Sequence, residues 1–220
     1  MTEGLSAPLP RLLLLLTVVT GVVDAFSYLA LGHVLVANMT GNVVFSGFAL
    51  AGAPGFVWWA LLLAVATFLI GAAFGGSLRK RLGEDRRKHL LTSTVIELIC
   101  VAAALAVVIA APVPYRSWIL STLIVLLGIG MGLQNATARA LAVPDLTTTV
   151  LTLTLTGIAA DAASGHGSKA GRRLVPVLAM FLGALAGAAL VVHGYHAWAL
   201  GLATLLLAAV ATSAAASHRL

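Results

Sequence analysis

Charged residues fill only 9% of the 220 positions while hydrophobic ones fill 60%, and this imbalance excludes a soluble domain, which would need far more polar surface at this length. Cysteine occurs once, as Cys100 inside an apolar stretch, so no intrachain disulfide can form and the CxxC and Cys/His spacings of zinc sites are absent. The loop "GHGSKAG" has glycines without the Walker order of a following Lys and Ser/Thr. His193 and His196 stand three apart without a third ligand. No Ser/His/Asp, Cys/His or paired-carboxylate arrangement argues for catalysis, so the expectation is a protein with no enzymatic activity, no metal and no cofactor. A formal charge of +6 invites a nucleic-acid reading, but six of the thirteen basic residues fall within Arg79 to Lys88, between two hydrophobic segments. They read as a topology signal, and no nucleic-acid partner is expected.

What the chain has in abundance is long apolar runs, approximately 11–34, 42–53, 57–78, 90–111, 118–139, 146–162, 174–192 and 197–215. A helix needs about 20 residues to cross about 30 Å of hydrocarbon at 1.5 Å per residue. The first run continues well past a short signal-peptide core and has no A-x-A site, so it reads as a membrane helix. Segment 42–53 is too short to span. Segment 146–162 carries six threonines in "LTTTVLTLTLTG", an alternation with weak helix preference.

If all eight segments crossed, Lys169, Arg172 and Arg173 would lie opposite the Arg79–Lys88 cluster. If the two odd segments enter and leave on one face, six spans remain and every basic group except Arg116 becomes cytoplasmic, in keeping with the positive-inside rule. The same arrangement gathers Trp58, Trp59, Trp118, Trp198, Tyr115 and Tyr195 at the outer interface, where such rings are favoured. The predicted fold class is therefore all-α: one polytopic membrane domain over 1–220, with about six transmembrane helices, two short broken or re-entrant segments and both termini cytoplasmic.

A repeat runs through the chain. "GVVDA" at Gly21–Ala25 matches "GLQNA" at Gly132–Ala136 with an offset of 111, and "GAAFG" at Gly71–Gly75 matches "GALAG" at Gly183–Gly187 with an offset of 112. The halves, approximately 11–111 and 118–215, are inverted in the six-span arrangement, a recurring plan of transporters whose sites lie where interrupted helices meet. The GxxxG pairs Gly71/Gly75 and Gly183/Gly187 predict close helix packing between the halves, and they permit a homodimer without requiring one.

Asp24 lies about midway along its predicted span, where an ionised aspartate costs on the order of 3 kcal/mol. It suits a proton, cation or polar-substrate site, with Asn135 as its uncharged counterpart; it suits equally a structural bond to the backbone of the neighbouring broken segment. Asn38, Thr40, Gly41 and Asn42 in "NMTGN" tolerate turns and offer uncharged polar groups to a small polar or ionic solute, or to their own loop. Gln134 and Thr152 join them as candidate substrate-binding residues. Glu97 is expected close enough to the cytoplasmic edge to meet water, or to pair with Arg86 to Lys88 or a neighbouring Ser/Thr, Arg139 to snorkel or pair with Asp24, and Asp145 after Pro144 to cap the second re-entrant helix. His33 is expected to be the one histidine near membrane depth.

Taken together, "GVVDAFSYLALGHVLVANMTGNVVFSGFALAG" and "GIGMGLQNATARALAVPDLTTTVLTLTLTGIAAD" resemble the YoaK family of bacterial membrane proteins, over nearly the whole chain. The resemblance implies an inner (plasma) membrane protein of about six helices and makes the quoted motifs the positions to test first, Asp24, Asn38, Thr40, Gly41, Asn42, Gln134, Asn135, Pro144 and Asp145 among them; it supplies no established substrate. The functional expectation is a small secondary transporter or channel-like facilitator, with a non-transporting scaffold or accessory subunit as the alternative.

Overall fold

A computed structural model describes residues 8–83, 85–141, 154–157, 159, 163 and 170–216. Among these all regular structure is helical, in the order α1 (Pro8–Ala30), α2 (Met39–Leu50), α3 (Trp58–Leu82), α4 (Arg86–Ala110), α5 (Ser117–Leu141), α6 (Ala170–Val192) and α7 (His196–Ala216). All but α2 are long and apolar enough to cross a membrane. The expected 42–53 segment is α2, twelve residues, and the six long runs each fall within a spanning helix to within a few residues. Most of segment 146–162, with Thr152, and the residues Pro144, Asp145 and Lys169 lie outside the described residues.

Helix ends follow local chemistry. Asp85 caps α4 by accepting from the Lys88 N–H at 2.9 Å. Gly83 closes α3 with φ 64, a left-handed position that glycine adopts without strain. Pro112 and Pro114, just past α4, cannot continue it. The carbonyls at the ends of α5 and α7 lack intrahelical partners and are satisfied by arginines: Arg79 donates to Ala140, Arg86 to Leu141, and Arg87 to Ala214 at 3.0 Å and to Ala215. The basic cluster thus ties four helices, α3, α4, α5 and α7, together at one end of the bundle, the arginine end. Trp58, Trp118 and Trp198, all exposed, mark the other, the tryptophan end.

The bundle is organised by two seams, α3 against α5 and α1 against α6. A Cβ at Gly71 would fall on the Ile129 carbonyl oxygen, and one at Gly132 on the Phe68 carbonyl oxygen. Across the other seam, a Cβ at Gly183 would fall on the Val18 carbonyl oxygen and one at Gly21 on that of Met180. Gly75 and Gly187 complete the two sets against Ala136 and Ala25. Such backbone approach is possible only without side chains. α1 and α5 form the centre, with 67% and 56% of their apolar cores buried against at most 39% for any other span. Large side chains such as Leu62, Leu69, Ile99, Leu182 and Leu205 point outward, as a lipid-facing surface requires.

Candidate functional site

The chain between α1 and α2 doubles back on itself. Gly32 and His33 take positive φ, 82 and 62, to make the turn. His33 is held there by its Nδ1 donating to the Gly55 carbonyl at 2.8 Å and by ring contacts with Tyr28 and Phe56. This joins the point where the segment enters to the point where it leaves, so 31–57 is re-entrant. His33 is exposed in that turn at the tryptophan end and not at membrane depth; His89, only 2% exposed, is instead the enclosed histidine.

From the turn the backbone descends to a bend at Val36 and Ala37, where it meets Asp24. Oδ1 accepts the N–H groups of Val36 at 3.0 Å and Ala37 at 2.9 Å, and Oδ2 accepts the Asn38 amide. A hydrogen bond to a charged group contributes about 1.5–3 kcal/mol, so three together exceed the roughly 3 kcal/mol cost of placing a carboxylate at this depth. Asn42, fully buried, closes the turn from the other side: its Oδ1 accepts the Leu35 N–H at 2.9 Å and its Nδ2 donates to the Leu35 carbonyl. Gly41 lies against Leu35, whose Cδ1 methyl would stand 2.6 Å from a Cβ and have to shift. Asp24 sits six residues before the end of α1, nearer the tryptophan end than midway, because the helix stops at Ala30.

A cavity of about 840 Å³ lies against the tip of this loop. Ala37, Asn38, Met39 and Thr40 close it, Phe68 to Arg79 of α3 and Asn135 to Ala140 of α5 wall it, and it extends toward the arginine end. Phe68 is ten residues into α3, about 15 Å along the helix, which sets the closed end near the middle of a 30 Å bilayer. The structure therefore brings Asn38, Thr40 and Asn135 together in one cavity, with Arg79 and Arg139 in its wall and no carboxylate among the described lining residues. The Thr40 side chain is exposed there, and the Asn135 amide donates to Met131 of its own helix at 2.9 Å. Asp24 and Asn42 lie behind the loop. Gln134 faces α1 instead, donating to Thr20 Oγ1 at 2.7 Å and the Leu16 carbonyl at 3.3 Å. Arg139 lines the cavity, and no ion pair between it and Asp24 is found among the described residues.

Glu97 departs from expectation. It is 1% exposed, one of its carboxylate oxygens has no hydrogen-bond partner among the described residues, and it makes no ion pair with Arg86 to Lys88. The hydrophobic run starts at residue 90 but α4 starts at Arg86, which places Glu97 a turn deeper than the run suggests. Outside the membrane spans, Lys88 holds the Asp85 carboxyl below its ordinary value through its backbone N–H and its ammonium, and burial pushes the Tyr115 phenol up to about 12. No group of three or more His, Cys, Asp or Glu able to hold a metal occurs among the described residues.

Comparison with known proteins agrees with this architecture. The family described as "Protein of unknown function (DUF1275)" matches residues 12–213. The UPF0700 transmembrane protein YoaK of Bacillus subtilis (strain 168) is 34% identical over 151 residues, covering 68% of this chain and 65% of that protein. The match thus spans just under two thirds of that relative's length. No solved structure matches. Six spanning helices, the family match over nearly the whole chain and the similarity to YoaK make this a multi-pass membrane protein that belongs to the DUF1275 family.

Proposed function

We propose that the protein is a small secondary transporter or channel-like facilitator of the inner membrane, with the arginine end and both termini in the cytoplasm. The observation that carries this reading is the cavity between α3 and α5, which reaches mid-depth and ends on the backbone and polar side chains of a re-entrant tip. Irregular backbone at that depth is tolerated only where protein buries it or where it lines a wet cavity, and here one side is buried by Asp24 and the other faces the cavity. Among the described residues the lining carries two guanidinium groups, three neutral polar side chains and no carboxylate, and α2 points its positive dipole end into it. A small anion or a neutral polar solute fits this chemistry better than a cation.

The pairing of glycine contacts across the two seams supports the same reading. The glycine contacts of the two seams pair off at the sequence offsets of 111 and 112: Gly21 on Met180 with Gly132 on Phe68, and Gly71 on Ile129 with Gly183 on Val18. Each half lends its GxxxG helix to the first helix of the other. These glycines are occupied within the chain, so a homodimer would need a different surface.

Osmotic swelling of proteoliposomes in formate, nitrate and glycerol tests the proposal. Swelling faster than protein-free liposomes for at least one solute, slowed by Asn135→Leu, is expected; rates equal to protein-free liposomes across the panel would remove it. The satisfied state of Asp24 and Asn42 favours a second reading, a membrane scaffold or accessory subunit whose polar loop is purely structural. Stable co-purification with one membrane partner and no flux would select it.

A further inference from the structure

A second polar feature lies on the far side of α5 from the large cavity. Four enclosed side-chain atoms lack a hydrogen-bond partner among the described residues: His89 Nε2, Ser93 Oγ, Glu97 Oε1 and Gln134 Oε1. All four residues are at most 4% exposed. His89, Ser93 and Glu97 recur every four residues, so they line one face of α4, and Gly130 of α5 lies against it, its missing Cβ leaving 3.5 Å to Glu97 Cγ. Gln134 is one turn from Gly130 toward the arginine end, its Nε2 already committed to Thr20 and Leu16, which leaves the oxygen unused.

This column meets an opening. A cavity of about 370 Å³ at the arginine end is lined by Arg79, Gly83, Asp85, Arg86, Ala140, Leu141 and His89 itself. From His89 to Glu97 is eight residues, about 12 Å along the helix, in two steps of about 6 Å. One water bridging two hydrogen bonds of about 2.8 Å covers each step. An unpartnered buried polar atom costs about 1–3 kcal/mol, and four in one column are too many to leave unsatisfied when ordered water would satisfy them.

We propose that His89, Ser93, Glu97 and Gln134 form a hydrated proton-binding track opening at the arginine end, with Glu97 as its terminal proton acceptor. The carboxylate of Glu97 takes a proton from the water file and becomes a neutral acid; the proton comes from solution at the arginine end and returns there. Among the described residues no competing carboxylate faces Glu97. α5 offers Gly130 and Gln134, its charged residue Arg139 lining the other cavity. α7 carries His196 alone, bonded to Tyr115 at the tryptophan end at 2.8 Å. The basic residues of α3 lie in its last turn, Arg79 sharing the small cavity with His89. On α4 itself Cys100 lies one turn further in. The proposal does not need the larger cavity to bind a solute, so the absence of flux in liposomes leaves it standing.

Infrared spectroscopy of the full-length protein in nanodiscs tests it, through the carbonyl stretch of protonated carboxyl groups and its shift when H2O is replaced by D2O. A band lost in Glu97→Gln, kept in Asp24→Asn, that exchanges readily in the wild type and on the order of tenfold more slowly in Ser93→Val is the expected result, tenfold being about 1.4 kcal/mol of added barrier. No such band, a band that does not exchange, or equal exchange in Ser93→Val overturns the track. Should Ser93→Val not fold, Ser93→Cys in a Cys100→Ala background takes its place: labelling by a small methanethiosulfonate from the arginine side of sealed vesicles supports the track, and failure to label overturns it.

Discussion

Asp24 and Glu97 are the two carboxylates enclosed in the spans, and they are held in opposite ways. Both oxygens of Asp24 are occupied by donors from a single loop, all of them N–H groups, the pattern an ionised carboxylate accepts. Glu97 has a free oxygen in a column of other unpartnered polar atoms. The difference teaches that burial of a charge-bearing group in a membrane bundle is not one signal. A carboxylate whose lone pairs are filled by backbone fixes a conformation; one left open is available to a mobile ligand such as a proton.

The comparison breaks most visibly at Asp24. Replacing it by Leu strips the Val36 and Ala37 N–H groups and the Asn38 amide of their acceptor while they stay buried. A loss of about 3–5 kcal/mol is expected from the removal of one partner in a buried charged network. Thermal unfolding in detergent should show it as a clear fall in Tm, with Asp24→Asn intermediate because one acceptor oxygen survives. A Tm equal to wild type would mean that the loop does not depend on this carboxylate.

Glu97→Leu should move the other way. It removes a buried carboxyl oxygen that has no protein partner among the described residues and depends on enclosed water, and leaves an apolar side chain of similar size among Val101, Ala104 and the face of α5, for a gain on the order of 1 kcal/mol. The same unfolding measurement decides it. A loss comparable to that of Asp24→Leu would make the two sites alike and remove the contrast.

Gly130→Ala sharpens the point at smaller scale. A Cβ there would meet Glu97 Cγ and Cys100 Cβ at 3.5 Å, ordinary contact, so the variant should gain the roughly 0.5–1 kcal/mol by which alanine exceeds glycine in a helix. Two residues on, Gly132→Ala places its methyl on the Phe68 carbonyl oxygen and should instead destabilise. Equal Tm changes for the two would mean that α5 packs against Glu97 of α4 as tightly as it packs against α3 in the glycine seam.

The spans were legible because hydropathy and helix length are properties of consecutive residues, and the choice of six followed from Lys, Arg and Trp positions alone. "NMTGN" marked the neighbourhood of the break but not the break itself: the chain turns at Gly32 and His33, and Met39 to Asn42 already form the first turn of α2. A bond from Asp24 to the backbone of the broken segment was one of the two readings the sequence left open, and it is the one found, but which residues donate was not legible: they lie 12 to 14 residues later, and nothing in their identity as Val36 and Ala37 marks them as donors to a carboxylate. Gln134 was singled out beside Asn135, yet the two face different neighbours, since adjacent helical positions point about 100° apart. His89 was missed because it borders the basic cluster and reads as part of a loop. The helix in fact begins three residues earlier, at Arg86, under the Asp85 cap, and this also carries Glu97 further from water than the onset of the apolar run implies.

Asp85 completes the series as an engaged carboxylate in water, and it should matter least. It accepts the Lys88 N–H and meets the Lys88 ammonium at 3.2 Å, with both side chains well exposed. Those contacts hold its carboxyl below the ordinary value of 3.8, so the stability it lends is present above that pH and is lost as pH falls through the lower folded value. Solvent screens the ion pair, which leaves the N-cap as its main contribution. Asp85→Asn, which keeps a capping oxygen, should therefore melt close to wild type at neutral pH, and Asp85→Ala slightly below it. A fall in Tm for Asp85→Asn as large as that for Asp24→Asn would show that charge outweighs enclosure, and that the contrast between Asp24 and Glu97 rests on something other than how their oxygens are filled.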